Sequence, residues 1–258
     1  MKKNILLSTV LIISIVISGC STGKAGRNEN EEQERSYLER YEDAVEAFEA
    51  KKYYRGIEDF NYVVFNAPGS EVADDAQFYL ASCHYELNEY LLAIDKYQQL
   101  LRRWPESDLH EETRFKIAEC YYRQSPGYQR DDEYIVRAIR AYQDFIQEYP
   151  FSEYRDQAEA RIRELRTGQA KKIYEAGKLY MVLREWKAAV ITFEEIIESY
   201  YDTPLLNKTY LQTARSYRKM NEPEKALKML DKIEVDALSA SNRQEYNKLL
   251  KEIPEPVQ

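Results

Sequence analysis

The chain repeats itself at a fixed spacing. Tyr41, Phe78 and Phe115 share one register 37 residues apart; so do Ala44, Ala81 and Ala118, and Phe48, Tyr85 and Tyr122. The register continues through Tyr53 and Tyr90, Ile57 and Ile94, Phe60 and Tyr97, and Pro68 and Pro105. A period of about 20–50 residues marks a stack in which each unit buries its apolar face only against its neighbours. Such a stack offers a shaped surface for holding partners rather than a pocket for chemistry.

Each unit reads as two amphipathic helices. In the second, apolar and small residues at helical spacing predict a helix over 74–87, a turn at Asn88-Glu89, and a helix over 90–103 that Trp104-Pro105 ends. Small Ala81 and Ala93 let the two helices approach, and Tyr90 and Tyr97 fill the space around them. This is the tetratricopeptide pattern, so the fold class is all-α, a superhelical array of about five helix pairs. The third unit has helices over 111–123 and 134–149. The fourth follows a long helical pattern over 152–183 and carries Gly177, Trp186, Ala189 and Phe193, and the fifth carries Ala214, Tyr217, Ala226 and Leu230. The expected organisation is an address over 1–19, a tether over 20–36, repeats over 37–123, an inserted loop over 124–133, repeats over 134–235, and a polar tail over 236–258 with a weak helix near 242–253.

The address is Met1-Lys2-Lys3-Asn4 followed by an apolar run from Ile5 to Ile17, too short to span a bilayer and typical of a secretory signal. It ends in Ile17-Ser18-Gly19-Cys20, which resembles a bacterial lipobox and makes Cys20 the expected lipid anchor. The expected modification is a covalent diacylglycerol and an N-acyl chain on that cysteine, with no other cofactor. More than one acyl chain makes anchoring stable. Ser21 follows, where an Asp would favour inner-membrane retention in proteobacteria, so the expected place is the outer membrane, on its periplasmic face. The other cysteines, Cys83 and Cys120, hold one slot of successive repeats; helix-packing distances of about 8–10 Å exceed what a disulfide tolerates, so both should be free buried thiols.

Composition narrows the partners. Net charge is −8 and no basic run offsets it, which disfavours nucleic acid. The two histidines do not form a ligand pair: His84 sits at an inward slot and His110 at a helix start. No metal, phosphate-loop or nucleophile motif occurs, and adjacent acids such as Asp74-Asp75 do not face each other on a helix. The chain is expected to be no enzyme.

Where chemistry is missing, the surface carries the meaning. Counting three before and four after the small residue of each first helix gives Tyr41 and Phe48, Phe78 and Tyr85, and Phe115 and Tyr122. All are aromatic, whereas the fourth and fifth repeats hold Tyr174, Met181, Leu211 and Arg218 there. Two readings stay open: a candidate substrate groove for an extended, aromatic-ended segment, rimmed by Glu49, Glu86 and Arg123, or rings that pack between helices.

A lipobox followed by five tetratricopeptide repeats resembles the BamD (YfiO) family, the lipoprotein component of the machinery that inserts β-barrel proteins. The resemblance rests on Tyr149-Pro150-Phe151-Ser152-Glu153-Tyr154, Trp186-Lys187-Ala188-Ala189, Tyr201-Asp202-Thr203 and Ser216-Tyr217-Arg218-Lys219-Met220, in that order. It implies a scaffold of the assembly complex that recruits unfolded outer-membrane β-barrel substrates near its N-terminal repeats. The C-terminal repeats would hold the periplasmic domains of a BamA-like barrel insertase, with accessory lipoproteins as further partners. The charged residues Arg184, Glu185, Lys187, Arg215 and Arg218 are the candidate partner-docking set. Tyr201 stands where relatives often have proline, and Thr192 where proteobacterial members can have a partner-engaging arginine. The alternative is another envelope lipoprotein of this fold, such as a pilotin-like secretin chaperone or a cell-wall coordinator.

Overall fold

The computed structural model describes residues 29–125 and 132–253, which form eleven α-helices and no strand. The signal segment, Cys20 and the centre of the inserted loop lie outside the described residues. The helices pair as α1 (Glu29–Glu49) with α2 (Tyr53–Asn66), α3 (Ala73–Glu86) with α4 (Tyr90–Arg103), and α5 (His110–Gln124) with α6 (Asp132–Glu148). Then come α7 (Arg155–Val182) with α8 (Trp186–Ser199), α9 (Leu206–Lys219) with α10 (Pro223–Asp231), and α11 (Ala240–Glu252). Each helix packs on the one before and the one after, and first helices of neighbouring pairs also touch, α1 with α3 and α7 with α9.

The 37-residue period has a backbone counterpart. Lys51, Asn88, Arg184 and Asn221 adopt the left-handed conformation, with φ of 58°, 61°, 62° and 62°. Each closes a first helix with the same pair of bonds: in the second repeat Asn88 N–H donates to the Tyr85 carbonyl at 2.9 Å and Glu89 N–H to the His84 carbonyl at 2.9 Å. That pairing caps the last carbonyls of a helix and turns the chain back. Between repeats, Ser70, Ser107, Ser152 and Thr203 each donate a backbone N–H to the carbonyl three residues earlier. Tyr201 in place of proline leaves that turn intact.

Small residues set the helix spacing. Ala44, Ala81, Ala118 and Ala214 are fully buried, and a methyl added at Gly177 would lie 2.4 Å from the Phe193 ring. The space beside them is filled by one large ring from each of the first four second helices, Phe60, Tyr97, Tyr142 and Phe193, all without solvent exposure, and by Leu230 in the fifth. A buried hydroxyl needs a partner. Ser82 and Glu119, each one residue past the small position, supply it for Tyr97 (2.9 Å) and Tyr142. Where the ring is Phe60 or Phe193 the same slot holds Val45 or Lys178.

Two expectations about the ends are corrected. The tether is shorter than 20–36, because α1 already begins at Glu29; Glu, Gln and Arg are good helix formers and extend the helix outward without apolar periodicity. The tail is not merely polar: Leu238, Leu249 and Ile253 are buried in one core with Leu211, Ala214 and Leu230, so α11 caps the last repeat. Ser239 caps α11 itself, accepting the Asn242 N–H at 3.3 Å.

Candidate functional site

The aromatic positions divide by depth. Phe78 and Phe115 are buried: Phe78 packs against Tyr97 at 5.5 Å, and Phe115 stacks on Tyr154 at 4.7 Å and leans on Phe145 at 5.5 Å. These two are core and cannot serve as groove contacts. Their side chains point toward the second helix of their own repeat, and a phenyl ring has nothing to keep in water. Tyr41 and Phe48 are half-buried, Tyr41 edge-on to Phe60 and Phe48 edge-on to Tyr53 and Tyr79. Burial and the nearby Asp75 push the Tyr41 hydroxyl up to about 12.

Tyr85 and Tyr122 are half-buried, with their hydroxyls among charges. Burial raises the Tyr85 hydroxyl's pKa, opposed by a hydrogen bond from Arg123, and Lys116 lies 5.8 Å from the ring. Tyr122 belongs to a tighter network. It donates to Glu164 Oε1 at 2.8 Å, accepts from Arg161 Nη1 at 3.0 Å, and its ring lies under the Arg161 guanidinium at 4.1 Å. Arg161 Nε also donates to Glu119 Oε1 at 3.2 Å, and Tyr142 donates to that same buried oxygen. Burial and the Glu119 carboxylate drive the Tyr142 pKa far up, so it remains a donor. A carboxylate this deep needs all of these partners. The network ties α5 and α6 to the first half of α7.

The candidate docking residues fall into two groups. Arg184, Glu185 and Lys187 are exposed at the turn between α7 and α8. Arg215, exposed, and Arg218, half-buried, are paired instead with α11, with Glu245 at 3.3 Å and with Glu252 at 2.9 Å. The five therefore differ in what holds them: three are solvated at the turn and two are tied to α11. Thr192, where some relatives use an arginine, is half-buried and donates to its own helix at the Ala188 carbonyl, 2.9 Å away.

A feature that sequence reading passed over lies on α7. Two residues past the small position, Cys83 and Cys120 are buried against the preceding repeat, Cys83 with Ala44, Phe60 and Val63, and Cys120 with Ala81, Tyr97 and Leu100. The equivalent residue in the fourth repeat, Leu179, is 58 % exposed. The cause is the length of α7. Its first half, with Ala158, Ile162 and Leu165, seats on α5 and α6. Its second half, with Ala170, Ile173, Tyr174 and Gly177, packs on α8. The array is thus two stacks, of three pairs and of two, and the opening face of the second is uncovered. There Leu179 is joined by Tyr180, Val182 (79 % exposed) and Leu183, beside Arg184 and Lys187. The signal in the sequence was apolar residues on both faces of one long helix.

A cleft of about 780 Å³ opens where the stacks meet, lined by Arg163, Thr167, Tyr201, Asn207, Tyr210 and Lys232 among others. Arg166 braces it, donating to both Asp202 oxygens at 2.8 and 2.6 Å and to the Ser199 carbonyl at 2.7 Å. That hydrogen-bonded contact holds the Asp202 carboxyl below the usual range. Among the described residues no group of three His, Cys, Asp or Glu side chains could hold a metal ion, and no helix is long and apolar enough to cross a membrane.

A family described as "YfiO: Outer membrane lipoprotein" matches residues 33–232, all five helix pairs. The chain belongs to the YfiO (BamD) family. Membership associates it with the β-barrel assembly complex of the outer membrane, a family of repeat scaffolds rather than enzymes. A search of curated proteins returns no match. Among solved structures, the chain is similar to yeast Sti1 in a complex of its TPR2AB domain with pHSP90, with 17 % identity, 84 % and 85 % of the two chains covered and a TM-score of 0.47. It is also similar to TTC0263, a thermophilic TPR protein of Thermus thermophilus (18 %, 83 % and 99 %, 0.36), and to MamA (14 %, 88 % and 100 %, 0.34).

Proposed function

We propose that this chain is the lipid-anchored scaffold of a β-barrel assembly complex, held to the periplasmic face of the outer membrane through Cys20. Its second stack docks the periplasmic domains of a BamA-like barrel insertase, and its first stack lies beside incoming unfolded barrel substrates. The observation that carries the docking assignment is the uncovered apolar face of α7, Leu179, Tyr180, Val182 and Leu183, rimmed by Arg184 and Lys187. A contiguous exposed apolar patch with a charged rim is the anatomy of a protein-binding surface. Arg184, Glu185 and Lys187 belong to that rim, whereas Arg215 and Arg218 act through α11. On the substrate side, Tyr85 is the best-placed aromatic, half-buried and hydrogen-bonded at its hydroxyl.

The test is co-purification from mildly solubilised membranes. The wild-type chain should bring down a large barrel protein with repeated periplasmic domains, and Leu179→Glu with Leu183→Glu should lose it while keeping an unchanged melting curve. Retention of the partner by the folded double variant refutes the docking face. Undiminished outer-membrane barrels after depletion of the protein refute the assembly role.

A further inference from the structure

The two large apolar side chains most open to solvent are Phe151, 98 % exposed, and Phe65, 85 % exposed. Both sit on the same edge of the first stack, the edge at which second helices end and the chain turns into the next pair. Phe65 is the penultimate residue of α2 and Phe151 lies in the turn after α6. The repeat between them places Arg102 and Arg103 at the corresponding end of α4, both exposed, with Arg103 stacked 4.6 Å from the Trp104 ring. Neither phenylalanine contributes to a core among the described residues, and no described element of the fold covers them.

The N-terminus identifies what does. α1 runs toward the opposite edge, so its first residue, Glu29, emerges on the edge of Phe65 and Phe151. With 21 residues, α1 is about 31 Å long and projects roughly 10 Å beyond the 14-residue α3 on this side. Nine Cα steps separate Glu29 from Cys20, a reach of at most about 32 Å. A chain that short can set acyl groups in a bilayer beside this edge. To set them beyond the opposite edge it would have to run back along the whole of α1, with nothing left to enter the lipid.

We propose that the edge bearing Phe65 and Phe151 rests on the outer membrane, with the two rings inserted among phospholipid headgroups. This rests on the lipid-anchor reading of Cys20. Exposed phenylalanines on a membrane-facing surface bury at the boundary of headgroups and acyl chains, and flanking arginines keep their charged ends in the headgroup layer. Exposed Glu71, Glu106 and Glu153 share the edge with the arginines, so net attraction to anionic lipid is absent and insertion into a zwitterionic headgroup layer is the mode. The opposite edge, with Tyr54, Leu91 and Val136, then faces away from the bilayer.

The test uses the full chain, matured in cells, purified in detergent and reconstituted into phosphatidylethanolamine-rich vesicles containing lipids brominated near the headgroup. Single Phe65→Trp, Phe151→Trp and Leu91→Trp variants are compared with the parent, which carries Trp104 and Trp186. Tryptophan at 65 and 151 should lose emission to the brominated lipid, at low and at high salt alike, and tryptophan at 91 should not. Vesicle-bound protein quenched at 91 but not at 65 and 151, or at none of the three, overturns the membrane-facing edge while leaving the anchor intact. Absence of acyl label on the mature chain, with Cys20→Ala behaving like wild type, overturns the anchor reading itself.

Discussion

Gly177→Ala tests whether close approach of α7 and α8 is what holds the second stack together. The added Cβ would lie 2.4 Å from Phe193 Cε1 and 2.8 Å from Cδ1 and Cζ. Ordinary carbon contacts begin near 3.5 Å, so the overlap is about 1 Å. The ring cannot swing clear, because Phe193 is fully buried with Ala170, Ala189 and Ile196 and lies 5.6 Å from the Tyr174 ring. Overpacking of this kind costs about 1–3 kcal/mol, and the severity of the overlap argues for the upper end. Replacing a helical glycine with alanine returns about 1 kcal/mol. The net expectation is a loss of about 2 kcal/mol, or some 8–16 °C if the two-pair stack melts as a unit of under 100 residues. The assay is thermal unfolding with hydrogen exchange resolved by segment, in which amides of α7's second half and α8 should lose protection first. Gly56→Ala is the control: its Cβ would crowd the Cys83 sulfur at 3.1 Å and meet Phe60 Cε2 at 3.6 Å and the Ala44 carbonyl oxygen at 3.7 Å at ordinary contact distance, so the helix gain and the mild crowding should nearly cancel. A Gly177→Ala variant that melts at or above the wild-type temperature would refute the close-approach account.

Further expectations concern polar groups and thiols. Arg161→Ala leaves the Tyr142 hydroxyl as the remaining hydrogen-bond partner of the buried Glu119 carboxylate and should cost about 2–4 kcal/mol in urea unfolding; adding Glu119→Leu together with Tyr142→Phe, so that no buried hydroxyl is orphaned, should recover most of it. Asp202→Asn should flatten the acid limb of stability. The folded carboxyl titrates below its unfolded value, so its contribution is complete above about pH 4 and fades as pH falls through the folded pKa; wild type should therefore lose stability below pH 4 more steeply than the variant in pH-resolved melts. Burial pushes both the Cys83 and Cys120 thiols up to about 12, so alkylation at pH 8 should label neither until denaturant is added.

Helix limits were largely readable because each is set by local chemistry. The spacing places the fourth helix at 90–103, as observed, since Trp104-Pro105 ends it; the third shifts by one residue to Ala73–Glu86. Depth along the aromatic slots was not readable from spacing alone. Positions three before and four after the small residue both look inward on a helical wheel, yet Phe78 and Phe115 enter the core while Tyr85 and Tyr122 stop halfway. Residue type held the clue: in these repeats the deeper slot is phenylalanine and the shallower is tyrosine, whose hydroxyl requires water or a partner. The split into two stacks was hidden for another reason. It depends on which neighbour each half of α7 meets, and periodicity within one helix does not specify that.

The split explains why an apolar face is left open on a repeat that is not terminal. The first half of α7 does for α5 and α6 what α11 does for α9 and α10: it closes a stack with a helix that has no second partner of its own. A closed stack leaves the next one to begin afresh. The first repeat of the chain also begins afresh, and at the slot of Leu179 it carries Glu46, exposed and at ease in water. Solvent exposure alone therefore does not call for leucine at an opening face. Leu179→Glu should change the melting temperature little, because Leu179 is 58 % exposed and belongs to no buried core cluster, and should act chiefly on binding. A fall in melting temperature comparable to that of Gly177→Ala would mean that Leu179 is part of the fold after all, and the docking face would lose its physical basis.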